Sequence, residues 1–167
     1  MVKRKVEAGA LAGLVGGLVS GVLLQLMPMT TPDGARPPAM TLVAGAVHAQ
    51  SDLAGWVAYL IYAIVIGALF GRLLSSQEVG GGTALAWGGL YGAFWWIASS
   101  LLVVPALRGV MPFTPAAIDL VHGAAAVWLA AMIVDGVITG GLFVAVASLL
   151  AHRDAHGMVG EHTRHAA

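Results

Sequence analysis

GALAGLVGGLVSG, residues 9–21, places glycine at 9, 13, 17 and 21 in an uncharged apolar run that follows Lys3-Arg4-Lys5. Glycine at every fourth helical position makes a ridge without side chains, on which a second helix can rest backbone to backbone. The apolar surroundings make lipid the solvent for the other faces. The stretch therefore predicts a membrane helix that touches another helix closely.

The composition agrees. Of 167 residues 59% are hydrophobic and 10% charged, against about 25% charged in a soluble domain. Net charge is zero, so a nucleic-acid partner is not expected. The chain has no cysteine, which excludes disulfides, zinc thiolate sites and thiol catalysis. Neither a nucleophile elbow nor a zinc-protease motif occurs, and an enzyme is not expected. The partners expected are the lipid bilayer, other membrane subunits or a second copy.

A span needs about 20 apolar residues. Four are read, at 8–28, 55–74, 84–106 and 124–150. Lys3–Lys5 resembles the start of a signal peptide, and Val47-His48-Ala49 a cleavage site. The latter lies too far downstream, so the first span is expected to stay. With the N-terminus inside, the inner face holds Lys3, Arg4, Lys5, Arg72, Arg153 and Arg164, and the outer face only Arg36 and Arg108. Both termini are expected in the cytoplasm.

The chain reads as a tandem repeat. Gly16-Gly17-Leu18 recurs 72 residues on as Gly88-Gly89-Leu90. Trp56, Ala58, Ile61, Val65 and Ile66 recur at the same offset as Trp128, Ala130, Ile133, Val137 and Ile138. Val47-His48 recurs as Val121-His122. The expected organisation is one membrane domain, 1–151, built from units of about 8–79 and 80–151, then a His-rich tail at 152–167. The fold class expected is an all-α bundle of four transmembrane helices made of two tandem hairpins. Small-residue rows for packing are Gly9, Gly13, Gly17 and Gly21; Ala63, Gly67 and Gly71; Ala84, Gly88 and Gly92; and Gly136 and Gly140.

Pro28, Pro32, Pro37 and Pro38 break the first loop, and Met40–Gln50 is expected as a short helix at the membrane surface. The proline-free run from 116 to 151 would exceed about 50 Å as one helix, so its first turns should protrude or break near Gly123.

Asp135 is the costliest residue. A mid-span Asp costs about 2.5–3.5 kcal/mol on insertion scales, so it should face protein or water. It is read either as a proton or cation site, or as a neutral acid bonded to a neighbouring helix through Gln25, Tyr59, Tyr62, Tyr91 or Ser99. Tyr62 and Gln25 are its expected site partners. His48 and His122 occupy equivalent places, with Asp52 four residues after one and Asp119 three before the other, so that an acid could orient each imidazole. The readings weighed are a haem or metal pair and interfacial histidines tying helix ends to loops. His152 and His156, one turn apart, could grip a divalent metal or lie in a solvated tail, whose last ten residues Gly157 and Gly160 should loosen. No cofactor is expected, haem and divalent metal being the alternatives. Trp95-Trp96 is expected to pack with one ring above the glycines of the first helix. Trp56 and Trp128 are read as interface anchors.

The Gly9–Gly21 row, the Gly88-Gly89-Leu90-Tyr91-Gly92 block, Trp95-Trp96, Pro105, Met111-Pro112-Phe113 and the His122 approach resemble uncharacterised bacterial four-helix inner-membrane proteins of the YagU-like kind. The resemblance spans most of residues 8–150. It implies a bacterial inner-membrane protein of unsettled function and supplies no active site. Asp135 departs from it, standing where a small or apolar residue is expected. Three functions are carried forward. The first is a non-enzymatic structural or accessory bundle. The second is a small proton- or cation-coupled transporter using Asp135. The third is a haem- or metal-binding electron carrier using His48 and His122.

Overall fold

The structure is a computed structural model; it describes residues 2–27, 31, 34–77 and 80–164, with 151–164 by backbone alone. Pro28, Pro32 and His165 lie outside the described residues, as do the side chains of His152 and His156.

Every regular element among the described residues is helical: α1 (Val2–Leu26), α2 (Ala39–Ala46), α3 (Asp52–Leu73), α4 (Gly81–Ala98), a π-helical segment (Ser99–Val103), α5 (Val104–Leu107), α6 (Pro115–Val121), a 3₁₀ turn (His122–Ala124) and α7 (Ala125–Arg164). Val2–Leu26, Asp52–Leu73, Gly81–Leu107 and Pro115–Leu150 are each long and apolar enough to cross a bilayer. The protein is a multi-pass membrane protein with a four-helix transmembrane bundle. Large apolar side chains such as Leu11, Ile61, Leu90 and Phe94 are exposed on the helices, where lipid replaces water as solvent.

The helix ends follow from local chemistry. Ser51 Oγ accepts the Ala54 N–H at 3.2 Å and starts α3, a side-chain cap for an orphan donor. At the other end of α3, Lys5 Nζ donates to the carbonyls of Leu74 at 3.1 Å and Gln77 at 2.7 Å. Thr114 caps Ala117 N–H at 3.4 Å, and Pro115 takes the first position of α6, where its missing N–H costs nothing. The long helix breaks at the 3₁₀ turn His122–Ala124, around Gly123, as the length argument requires. Pro105 has no N–H for the carbonyl four residues earlier, Leu101. That carbonyl accepts the Phe113 N–H at 3.2 Å from the following loop.

α1 lies between α3 and α7, and α4 packs on the far side of α7. Two small-residue rows put α1 there. Gly9, Gly13 and Gly17 abut Gly71, Gly67 and Ala63 of α3. Ala8, Ala12, Gly16 and Ser20, one position earlier in each turn, are buried as well; Gly16 meets Asp135 and Thr139 of α7. Ala84, Gly88 and Gly92 of α4 meet Gly140, Gly136 and Met132 of α7 through backbone atoms. The α1–α3 and α4–α7 seams are thus closed by backbone contact, while at the α1–α7 seam the nearest atoms to Gly16 are side-chain oxygens.

The fourth seam differs. α3 and α4 meet through aromatic side chains. Tyr91 Oη donates to the Ile66 carbonyl at 2.7 Å. Ring centroids lie 6.0 Å apart for Tyr62–Trp95, 6.0 Å for Tyr91–Trp95, 5.1 Å for Phe70–Tyr91 and 5.7 Å for Phe70–Phe143. This aromatic column fills the interior on that side.

Several expectations need correction. Trp95 belongs to the aromatic column, and Trp96 packs against the core around Leu24, Tyr59 and Met132. The ring over the α1 glycines is Trp56, which lies against Gly21. The short helix expected over Met40–Gln50 ends earlier, at Ala46, and is docked on α3: Met40 is fully buried, and its carbonyl sits against Gly55, where no side chain intervenes. The α7 backbone stays helical to Arg164, past Gly157 and Gly160.

Candidate functional site

Two apolar clusters bracket a polar layer. Ala8, Ala12, Phe70, Leu74 and Phe143 form one cluster near the terminal end of α1. Leu24, Met40, Tyr59, Ala131 and Met132 form the other near the loops. Between them lie buried Ser20, Ser99, Ser100, Asp135 and Thr139, with Tyr59 and Tyr62 beside Asp135. Each arrives by helical spacing. Asp135 and Thr139 are one turn apart on the face of α7 turned to α1. Tyr59 and Tyr62 share an interior face of α3. Ser99 and Ser100 open the π-helical segment, whose wider turn re-aims side chains and often marks functional sites.

Asp135 is the centre of this layer. Its side chain is 3% exposed, and Oδ1 is buried without a hydrogen-bond partner. Gly16 makes room for it: a Cβ there would stand 2.5 Å from Asp135 Oδ1 and 2.7 Å from Thr139 Oγ1. Ser20 Oγ and Tyr59 Oη share a hydrogen bond of 2.8 Å. Ser99 Oγ donates to its own helix, to Trp95 O at 2.6 Å. Tyr62 Oη, Ser100 Oγ and the Trp95 and Trp96 indole nitrogens are also buried without a partner. An unmet buried polar group costs about 1–3 kcal/mol, so these atoms together are a large expense at membrane depth.

A cavity of about 460 Å³ leads to this layer from the loop end. Tyr59, Tyr62, Ser99 and Met132 line its deep part, Met132 being one turn from Asp135 on α7. Ala58, Val43, Val103, Val104 and Trp128 form apolar walls, and Arg108 and Thr31 stand toward the loops. The π-helical segment and α5 supply one wall.

Among the residues singled out from sequence, Asp135 and Tyr62 come together. Gln25 does not join them: its Oε1 accepts the Met40 N–H at 3.1 Å and ties α1 to α2. Tyr91 is spent on Ile66. His48 and Asp52 do not share a helix face. His48 sits in a turn after α2 with φ 59°, while Asp52 opens α3 and accepts the Thr41 hydroxyl at 2.7 Å. His48 and His122 are both exposed, so they do not form a buried axial pair. Among the described residues no three His, Asp or Glu side chains converge as metal ligands. Sequence reasoning overlooked Gly16, Ser20 and Arg108 as site residues. The second small row, Ala8-Ala12-Gly16-Ser20, was the available signal for the first two.

Comparison with protein-family models, curated proteins and solved structures finds no match to the chain. The functional reading therefore rests on this geometry.

Proposed function

We propose that this chain is a small proton-coupled carrier of the bacterial inner membrane, not an enzyme, with both termini in the cytoplasm. Its cavity faces outward and loads a small molecule, and Asp135 carries the proton. The observation that supports this most is the Asp135 carboxyl, buried at mid-membrane in the notch at Gly16, one turn below the floor of the cavity. Intramembrane acids of this kind mark proton and ion paths. The reading requires that this carboxyl gain and lose a proton through the cavity above it.

The distribution of Lys and Arg supports the orientation. Duplication of a hairpin belongs to the same reading. A shift of 72 residues in both helices carries the pairing of Gly9 with Gly71 and Gly13 with Gly67 onto the antiparallel register of Gly88 with Gly136 and Ala84 with Gly140. The contacting rows differ, because α1 must also serve α7.

Proteoliposomes loaded with a pH-sensitive dye test the proposal. Under an imposed pH gradient and a potassium diffusion potential, the wild-type protein admits protons faster than protein-free vesicles, and Asp135→Asn does not. Equal rates for the two proteins would remove Asp135 from the path.

A further inference from the structure

The same cavity has three chemically distinct zones, and together they describe what fits inside. This step rests on the reading of the cavity as the loading site. At the mouth stands Arg108. Its guanidinium lies over Gly45, 3.5 Å from where a Cβ on that residue would be. Arg108 is exposed, and its guanidinium forms no ion pair or hydrogen bond among the described residues. The walls are apolar. The floor carries Tyr62 Oη, a buried hydroxyl without a partner, next to Ser99.

We propose that the cavity binds a small amphiphilic anion, with its acidic group on Arg108 at the mouth and its apolar body against Val43, Ala58, Val103 and Met132. An unpaired guanidinium offers several donors in one plane and selects carboxylate, sulfonate or phosphate over a cation or a neutral group. Apolar walls reward a hydrocarbon or aromatic body, and a cavity of about 460 Å³ lies within the usual range for small-molecule sites. A polar atom at the buried end of the ligand would satisfy Tyr62. Strongly polar molecules such as sugars and free amino acids fit poorly, because the walls would leave their hydroxyl and ammonium groups unpaired.

The experiment uses the full chain in nanodiscs with 1-octanesulfonate as the anionic probe and 1-octanol as its uncharged counterpart. Tryptophan fluorescence reports binding, since Trp128 lines the cavity, and protein-free nanodiscs give the background. Saturable binding of octanesulfonate is expected. Arg108→Gln should weaken it roughly 10-fold, the loss of one charged hydrogen bond, and leave octanol unchanged. Ala58→Phe should narrow the cavity and weaken both probes. If Arg108→Gln leaves octanesulfonate binding as it was, or if Ala58→Phe changes neither probe, the assignment fails. An absence of saturable octanesulfonate binding also overturns it. A final arm separates sources of the same chemistry. Competition by phosphatidylglycerol nanodiscs but not phosphatidylcholine nanodiscs upholds the site with a lipid as its occupant; no competition upholds it with a free acid. Proton movement through Asp135 is measured independently of this probe, so loss of one result leaves the other standing.

Discussion

Oδ1 of Asp135 lies in the notch of Gly16, 2.5 Å from where a Cβ on that residue would stand. A buried acid between the two apolar clusters is thus fitted to a glycine of the helix facing it. Gly16→Ala should push the carboxyl and the Thr139 hydroxyl aside. Both are side-chain atoms that can move, so the expected cost is about 1–3 kcal/mol. Gly88→Ala should cost more, because its Cβ would meet the Gly136 backbone. Gly89→Ala should cost least, its nearest neighbour being Val137 Cγ2 at 3.4 Å. Unfolding midpoints of the three variants in one detergent check the order.

The α1–α3 seam depends on Gly13 and Gly17 in the same way. Leucine at either position would drive the backbones apart, since Gly13 faces Ala63 and Gly67 and Gly17 faces Ala63. Each variant is expected to lose the compact bundle, read as faster proteolysis in mild detergent. Two fully resistant variants would show that this row faces lipid.

The aromatic column carries the α3–α4 seam. Tyr91→Phe removes the 2.7 Å hydrogen bond to Ile66 and keeps the ring, so the expected loss is about 0.5–1.5 kcal/mol. Phe70→Ala, at a fully buried position, empties the centre of the column at about 3–5 kcal/mol. Chemical unfolding of the pair tests whether packing or the hydrogen bond dominates.

Pro105→Ala restores an N–H that can bond the Leu101 carbonyl within the helix. The Phe113 N–H, now bonded there at 3.2 Å, then has to share that oxygen and is held more weakly. Faster hydrogen exchange at Phe113 is expected. An unchanged rate would mean that the loop holds Phe113 by other contacts.

Spans, helix class and the first glycine row were legible because each is a one-dimensional pattern: apolar length, proline position, spacing of four. What failed depended on rotation about a helix axis or on a turn. Trp95 and Trp96 could point to either side of α4, and only the wide α3–α4 seam draws Trp95 there. His48 and Asp52 have helical spacing, but the turn at His48 separates them. The cavity was invisible because its walls come from distant segments, and Arg108 counted in the sequence only as a loop charge. Asp135 stood out by cost alone; its fit to Gly16 required the second row of α1.

Whether Asp135 exchanges a proton is measured most directly by infrared difference spectroscopy of the reconstituted protein between acidic and alkaline buffer. The account predicts a carbonyl band of a protonated carboxylic acid that disappears in Asp135→Asn and persists in Glu7→Gln. A band that survives Asp135→Asn unchanged, or none in the wild type, would contradict it.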